Sequence, residues 1–305
     1  MRIASLFPAA TEILYALGLG EEIVGVSHEC TYPAEAAAKP RIIRTLIDQE
    51  QASSGAIDRS VRAAIEQRRS LYVCDIPLLQ ALKPDVLVTQ SLCTVCALDD
   101  SGVGKIIQSL DPRPDVITLH AHTLEELFLE IRLLGHRLNR NQEAGCLVSA
   151  LVKRIESVEE RAALQKTRPT VGCIEWMDPL MVAGHWVPEM VSLVGGRDSL
   201  GRAGEPSRYI SWEELICAQP DQLILMPCGF PIERTRKELS VLTQHPQWGK
   251  LAAVGENRVW LVDGPALFNC PGPRLVQGIE LLASIFHPQT FSQQTLAGFA
   301  QQGIA

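Results

Sequence analysis

The chain has 305 residues, of which 46% are hydrophobic and 21% are charged, a composition typical of a globular protein with about two domains. Its formal net charge of −7 argues against a general affinity for nucleic acid or for an anionic membrane surface. The sequence contains no run of about 18 apolar residues and therefore predicts no membrane-spanning helix.

The start of the chain has none of the features of a secretory leader. Residues 3–12 already have the pattern of a strand that turns into a helix, without a basic segment, an apolar segment and a small-residue cleavage site. The nine cysteines are an odd number without framework spacing, which is typical of reduced thiols. We therefore expect a cytoplasmic protein, or a periplasmic one if Met1 is not the true start.

Strand and helix patterns alternate along the first 120 residues. The predicted strands are Arg2–Leu6, Ile23–Ser27, Val86–Gln90 and Val116–Leu119. The predicted helices cover Thr11 to Leu17, Ile57–Arg68, Pro77–Leu82 and Gly102–Leu110. The polar, arginine-rich residues 40–69 interrupt this alternation and predict a solvent-exposed insertion, here called the excursion.

A helical connector follows. Thr123 and Glu126 form a capping-box pattern at the start of one predicted helix, and Asn141 can cap the next. The second of these helices runs to about Lys166, so its roughly 24 residues would span about 36 Å.

The remaining residues repeat the alternation. Strands are predicted at Thr170–Glu175, Gln222–Met226 and Val259–Val262. Helices are predicted at Val187–Leu193, after the capping box at Ser211, and at Arg274–Ile285. The glutamine-rich tail after Pro288 is expected to be loosely held.

The predicted fold class is therefore α/β, with two Rossmann-like lobes joined by a single long backbone helix and a ligand cleft between the lobes. The predicted domains are an N-terminal α/β lobe at 1–120, the helical connector at 121–166 and a C-terminal α/β lobe at 167–305.

Soft metal ligands follow the predicted strands, and the carboxyl ends of parallel strands are where ligands bind. A His/Cys3 set of this kind suits zinc or iron. Its members are His28, Cys30, Cys93 and Cys96, with Cys228 and Cys270 as weaker candidates. Two alternatives stay open: unrelated buried side chains, and a redox disulfide between Cys93 and Cys96.

Aromatic residues also gather after the strands of the C-terminal half. They are expected in strand-end loops, where together they suit a flat, largely apolar ligand, although each one alone is more typical of core packing. These residues are Trp176, Trp186, Trp212, Phe230 and Phe268. No nucleophile elbow, phosphate-binding loop or dinucleotide fingerprint accompanies them, so we expect a binding protein more than an enzyme.

Several segments together resemble a known family. They are SLFPAATEILYALGLGEEIVGVSHECTYP, ALKPDVLVTQ, MVAGHWVPEMVSLVGG, SWEELICAQPDQLIL and PGPRLV. In this order they resemble the cobalamin-binding periplasmic proteins of ABC importers, within the wider class of substrate-binding proteins for metal chelates. The resemblance covers most of the chain except Arg44–Leu71.

The resemblance implies a corrinoid bound between two lobes. The implied contacts are Pro8, Ala9, Thr11, Tyr32, Gln90, Trp176, Trp186, Ser207, Tyr209 and Phe268, and the aromatic pattern adds Trp212 and Phe230. Of the two acids with which the family docks on its importer, one position matches Glu213 and the other falls near Pro77. Docking on an importer is therefore not expected.

Two functions are compatible with these features. The first is a non-catalytic binding protein for cobalamin or a related corrinoid or metal chelate. The second is a cytoplasmic metal-binding protein or enzyme that uses the His/Cys3 set to hold zinc, iron or an iron–sulfur cluster.

Overall fold

A computed structural model describes residues 1–48, 51–67, 69–90, 106–108 and 110–303. The chain forms two compact units. The first comprises Met1–Asp48, Arg59–Ala121 and Glu125–Ala150, and the second comprises Gln49–Asp58, His122–Leu124 and Leu151–Ala305. The predicted α/β class with two lobes is confirmed by this division and by the sheet in each unit.

The first unit contains a six-stranded sheet with the order β4-β3-β2-β1-β5-β6. All neighbouring strands are parallel except β3 and β4. The strands are β1 (Ile3–Ser5), β2 (Ile23–Ser27), β3 (Arg41–Thr45), β4 (Tyr72–Cys74), β5 (Val86–Gln90) and β6 (Asp115–Leu119). All five residues of β5 are buried, as expected for an inner strand of a parallel sheet that is covered on both faces.

The helices of the first unit are Pro8–Ala16, Ile76–Leu82 and Leu124–Arg137, together with the 3-10 helix Ala34–Ala38. The helix Ile76–Leu82 begins where the Asp75 carboxylate accepts the backbone N–H of Leu78 at 3.0 Å, and it ends at Lys83 in the left-handed region. Of the predicted helix Gly102–Leu110, residues 106–108 and Leu110 are described; residues 106–108 are helical, and Leu110 is not.

The arginine-rich excursion is more ordered than the sequence suggests. Its helix, predicted at Ile57–Arg68, covers Ser54–Glu66, and its flanks form β3 and β4. These two strands, of which β4 lies at the edge of the sheet, were not predicted, because their short segments have weak apolar alternation: in β4 no residue is fully buried.

The long helix Asn141–Ala163 begins at the predicted cap and has 23 residues. The boundary between the two units falls within this helix, after Ala150, and His122–Leu124 belong to the second unit. The connector at 121–166 is therefore shared by the two units in the structure.

The second unit contains a seven-stranded sheet with the order β10-β8-β7-β11-β12-β13, and β9 also pairs with β7. Its strands are β7 (Thr170–Met177), β8 (Leu180–Val182), β9 (Arg197–Asp198), β10 (Arg208–Tyr209), β11 (Gln222–Leu225), β12 (Val259–Val262) and β13 (Ala300–Gln302). The strands β7, β11 and β12 are parallel, and β8, β10 and β13 are antiparallel additions at the two edges.

Several helices cover this sheet. They are Val187–Leu193, Trp212–Ala218, Ile232–Glu238, Ser240–Thr243, Ala252–Gly255, Gly264–Leu267 and Leu275–Phe286, with 3-10 turns at Trp248–Lys250 and Gln293–Leu296. The helix Leu275–Phe286 buries ten of its twelve residues and packs against Val187–Leu193. The capping box at Ser211 is present, with both reciprocal hydrogen bonds to Glu214.

Three predictions for the second unit are wrong. Trp176 lies inside β7 instead of a loop, because β7 continues to Met177 and pairs with β8. Trp212 is the first residue of a helix. The tail after Pro288 is not loosely held, because Ala300–Gln302 adds the antiparallel strand β13 to β12. Among the described residues, no helix is long and apolar enough to cross a membrane.

Candidate functional site

The first strand-end group lies in the first unit, where β1 is followed directly by the helix Pro8–Ala16. Pro8 is partly exposed, whereas Ala9 and Thr11 are fully buried. Thr11 Oγ1 lies 2.8 Å from Ser5 Oγ and 3.1 Å from Cys30 Sγ. The Thr11 hydroxyl is therefore engaged inside the unit, and its predicted use as a ligand contact stays a prediction.

Cys30 completes this buried network. Its thiol is fully buried and also lies 3.2 Å from the hydroxyl of Ser27. Arg41 Nη1 donates to the backbone carbonyls of Ser27 at 2.6 Å and of Cys30 at 2.8 Å, which fixes the turn after β2. Burial raises the pKa of the Cys30 thiol, which favours its neutral form over the thiolate that binds metals.

His28 lies on the same turn in a different environment. Its ring is mostly buried, 5.8 Å from the ring of Tyr72, and its Nε2 is 3.8 Å from a carboxylate oxygen of Glu29. Burial lowers the pKa of His28, which favours the neutral imidazole. Among the described residues, neither ring nitrogen has a hydrogen-bond partner. A neutral imidazole of this kind is a suitable soft ligand.

The other predicted metal ligands are only partly placed. Cys93 and Cys96 lie outside the described residues. Cys228 and Cys270 are partly buried and follow β11 and the helix Gly264–Leu267. Within the described part of the chain, no three His, Cys, Asp or Glu side chains are grouped closely enough to hold a metal ion. The His/Cys3 set stays a prediction, since two of its four members are not described.

The other two predicted contacts of the first unit differ in accessibility. Tyr32 is 46% exposed on the loop after β2, whereas Gln90 is buried at the end of β5. Tyr32 is thus the more accessible of the two side chains.

The second strand-end group lies in the second unit and consists mainly of aromatic rings. The Trp176 ring lies 5.1 Å from the Phe230 ring at an interplanar angle of 53°, and its indole N–H donates to the carbonyl of Asp178 at 3.1 Å. The guanidinium of Arg234 lies 4.4 Å from the centre of the Phe230 ring. Both rings are buried, so in this structure they stabilise the strand-end loops.

Trp186 and Phe268 form a second buried pair. The indole N–H of Trp186 donates to the backbone carbonyl of Phe268 at 2.7 Å, and both side chains are at most 3% exposed. This hydrogen bond ties the helix Val187–Leu193 to the end of the helix Gly264–Leu267. The use of either ring as a ligand contact stays a prediction.

Two histidines that the sequence did not single out meet beside Trp186. His185 Nδ1 lies 3.0 Å from His122 Nδ1, and the His185 ring is stacked on Trp186 with the ring centres 5.5 Å apart. Burial, followed by the neighbouring His122, lowers the pKa of His185, which favours its neutral imidazole at pH 7. His185 precedes a predicted contact, but His122 is 63 positions away, and no spacing rule connects them.

Ser207 belongs to a hydrogen-bonded chain beside this pair. Its hydroxyl donates to a carboxylate oxygen of Glu175 and accepts the backbone N–H of Gly184 at 3.1 Å. Gly184 has no room for a side chain, because a Cβ would lie 2.3 Å from the carbonyl oxygen of Glu205. Ser207 therefore fixes the close approach of two loops.

Tyr209 and Trp212 complete the predicted contacts. Tyr209 is 46% exposed, and its hydroxyl donates to Asp58 at 2.7 Å, which holds the start of the excursion helix within the second unit. Trp212 stacks on His245 with the ring centres 3.9 Å apart. Glu213, the predicted counterpart of an importer-docking acid, is exposed and accepts a hydrogen bond from Gln247.

The periplasmic binding protein family model matches residues 3–266 of the chain. At the sequence level, the chain is 25% identical over 300 residues to the uncharacterized ABC transporter substrate-binding lipoprotein YvrC of Bacillus subtilis strain 168, covering 96% of this chain and 82% of that protein. It is 26% identical over 285 residues to the vitamin B12-binding protein of Vibrio cholerae, covering 92% of this chain and 86% of that protein.

Among solved structures, the chain is similar to the apo form of the periplasmic heme-binding protein RhuT of Roseiflexus sp. RS-1. The TM-score is 0.71 at 23% identity, with 94% of this chain and 98% of that chain covered. At this identity, the likeness establishes the shared fold.

Proposed function

The chain belongs to the periplasmic binding protein family, and on that premise we propose that it binds cobalamin or a related corrinoid without transforming it. The observation that carries the proposal is the similarity to the vitamin B12-binding protein of Vibrio cholerae over 92% of this chain. The segments that resemble cobalamin-binding proteins lie in both units, which supports a ligand-binding function for the chain as a whole.

The chemistry of the strand ends supports a large, flat ligand. Aromatic side chains that are accessible, such as Tyr32 and Tyr209, offer apolar faces with a polar tip. In the second unit, the packed rings of Trp176 and Phe230 and the hydrogen bond from Trp186 to the Phe268 carbonyl anchor the loops. A rigid loop loses less conformational entropy when a ligand binds, and this raises affinity.

Equilibrium titration with hydroxocobalamin, followed through the corrin absorption bands, tests the proposal. We expect saturation at about one corrinoid per chain with a Kd of about 10 μM or lower, roughly −7 kcal/mol. An unchanged corrin spectrum together with no affinity below about 100 μM, roughly −5.5 kcal/mol, would overturn the proposal.

Variants sharpen the titration. Tyr32→Ala and Tyr209→Ala each remove an accessible ring and should weaken corrinoid binding by about tenfold, or 1.4 kcal/mol. Leu164→Ala is a matched control, because Leu164 is 82% exposed near the end of the long helix and is not a proposed contact. A loss of affinity in the control as large as in the tyrosine variants would contradict their assignment as contacts.

A second candidate function is a metal-binding protein that uses His28 with Cys30, Cys93 and Cys96. The observation that favours it is the buried His28 ring, whose nitrogens have no hydrogen-bond partner among the described residues. Elemental analysis of protein purified without chelator distinguishes the two functions. Near-stoichiometric zinc or iron that disappears in the Cys93→Ser/Cys96→Ser double variant supports the metal function, and metal-free protein with intact thiols contradicts it.

A further inference from the structure

The imidazoles of His122 and His185 lie close enough together to bind one metal ion. Their Nδ1 atoms lie 3.0 Å apart. If both bound one ion at about 2.1 Å, a usual metal–imidazole distance, the N–metal–N angle would be about 90°. An angle near 90° is that of two adjacent ligands in a square-planar or octahedral complex.

The backbone of His185 is held in an unfavourable conformation. Its φ is +51°, in the left-handed region that costs a residue other than glycine about 1 kcal/mol or more. Two backbone hydrogen bonds hold it there: its N–H donates to the carbonyl of Glu205 at 2.6 Å, and its carbonyl accepts the N–H of Gly204 at 2.8 Å. Backbone strain that the surroundings maintain in this way is found preferentially at ligand sites.

Contacts with neighbouring residues also orient the two imidazole rings. The His185 ring stacks on Trp186, whose indole is anchored to the carbonyl of Phe268. The segment that carries His122 is tied to the helix Val187–Leu193, because the backbone N–H of Leu124 donates to a carboxylate oxygen of Glu189 at 3.1 Å. A metal site benefits from ligands that are already oriented.

We propose that His122 and His185 form a two-imidazole site for a first-row divalent ion of the Ni²⁺ or Cu²⁺ type. These ions favour nitrogen ligands and square-planar or octahedral geometry. Water or a donor atom from a bound small molecule would fill the other positions. The site does not depend on the proposed corrinoid function and uses none of the four predicted His/Cys3 residues.

Calorimetric titration of untagged, chelator-stripped protein with Ni²⁺ tests the site. The exposed thiols of Cys146 and Cys217 are alkylated first, since thiolates also bind Ni²⁺. We expect about one Ni²⁺ per chain with a micromolar Kd and no comparable binding of Mg²⁺, which prefers oxygen ligands. His122→Asn and His185→Asn should each weaken Ni²⁺ binding at least tenfold. Asparagine suits position 185 because it tolerates the left-handed backbone.

The matched control is His136→Gln, which removes an exposed imidazole from the helix Leu124–Arg137 and should leave Ni²⁺ binding unchanged. Circular dichroism of each variant checks that it folds. If both asparagine variants are unfolded, Cu²⁺ electron paramagnetic resonance of the wild-type protein decides, since two coordinated imidazoles split the signal through their nitrogens. No nitrogen splitting, no Ni²⁺ binding below about 1 mM, or unchanged binding in the folded asparagine variants would overturn the proposal.

Discussion

The two units organise the ends of their parallel strands with different chemistry. In the first unit, small polar side chains close the strand ends: the hydroxyls of Thr11 and Ser27 contact the buried thiol of Cys30, and the hydroxyl of Ser5 contacts that of Thr11. In the second unit, buried aromatic rings hold the loops, as where the indole of Trp186 donates to the backbone carbonyl of Phe268. The two units therefore share the α/β architecture, but different side-chain contacts stabilise their loops.

The difference has an energetic consequence. A hydrogen bond contributes a net stabilisation of about 1 kcal/mol, whereas a buried tryptophan contributes several kcal/mol through packing. Removing one of the buried aromatic side chains of the second unit should therefore lower the free energy of unfolding more than removing one of the hydroxyls of the first unit. Three measurements of the free energy of unfolding test this contrast.

The largest effect is expected for Trp186→Ala. The ring is 3% exposed and its indole N–H is bonded to Phe268, so its removal leaves a cavity and an unpaired buried carbonyl. We expect a loss of about 3–5 kcal/mol in the free energy of unfolding, measured with urea. Trp186→Phe should lose about 1–2 kcal/mol, because it keeps most of the packing and removes only the donor.

Trp212→Ala serves as the control in the same unit. Its ring is partly exposed and stacks on His245, so the expected loss is about 1 kcal/mol. Equal losses for Trp186→Ala and Trp212→Ala would show that the buried ring does not hold the strand-end loops.

An intermediate effect is expected for Thr11→Val in the first unit. Valine keeps the shape of the side chain but removes the hydroxyl that joins Ser5 and Cys30. The loss should be about 1–2 kcal/mol, and Thr11→Ser should retain most of the stability. Thr31→Val, at an exposed position one residue after Cys30, is the control and should change little. A loss above about 3 kcal/mol in the free energy of unfolding for Thr11→Val would contradict the expected difference between the two units.

The smallest effect concerns Glu130, whose carboxylate accepts the backbone N–H of His120 just after β6. Burial raises the pKa of Glu130 to about 7, so the folded state favours its protonated form. The stability that this proton provides is complete below the unfolded pKa of about 4.5 and is lost as the pH rises through 7.

Between pH 5 and pH 8, the wild-type protein should therefore lose about 1 kcal/mol more than Glu130→Gln, after allowance for the partial exposure of the carboxylate. Urea unfolding at the two pH values measures this difference. Glu125→Gln removes an exposed carboxylate from the same helix and should have the same pH dependence as the wild type. Identical pH dependence in Glu130→Gln and the wild type would refute the assignment.

The inner strands and the capped helices could be predicted from the sequence. Ile23–Ser27, Val86–Gln90 and Val259–Val262 agree with the structure residue for residue, since each is a short apolar run between turn signals. The helix Asn141–Ala163 and the capping box at Ser211 were equally clear. Local patterns carry all of this information.

The edge strands and the residue pairs in the loops could not be predicted in this way. The strand β13 lies in a polar, glutamine-rich tail, and only its pairing with β12 makes it a strand. The contact between His122 and His185 joins positions 63 residues apart, and it exists because backbone hydrogen bonds to Gly204 and Glu205 hold the His185 loop. Contacts of this kind depend on tertiary structure, for which a single sequence has no local signal.

The central claim is that the chain binds a corrinoid, and competition dialysis between hydroxocobalamin and hemin tests it most directly. With both compounds at equal concentration, the account predicts that the protein retains about one hydroxocobalamin per chain and at least tenfold less hemin, a difference of about 1.4 kcal/mol. Preferential retention of hemin, or retention of neither compound, would contradict the account.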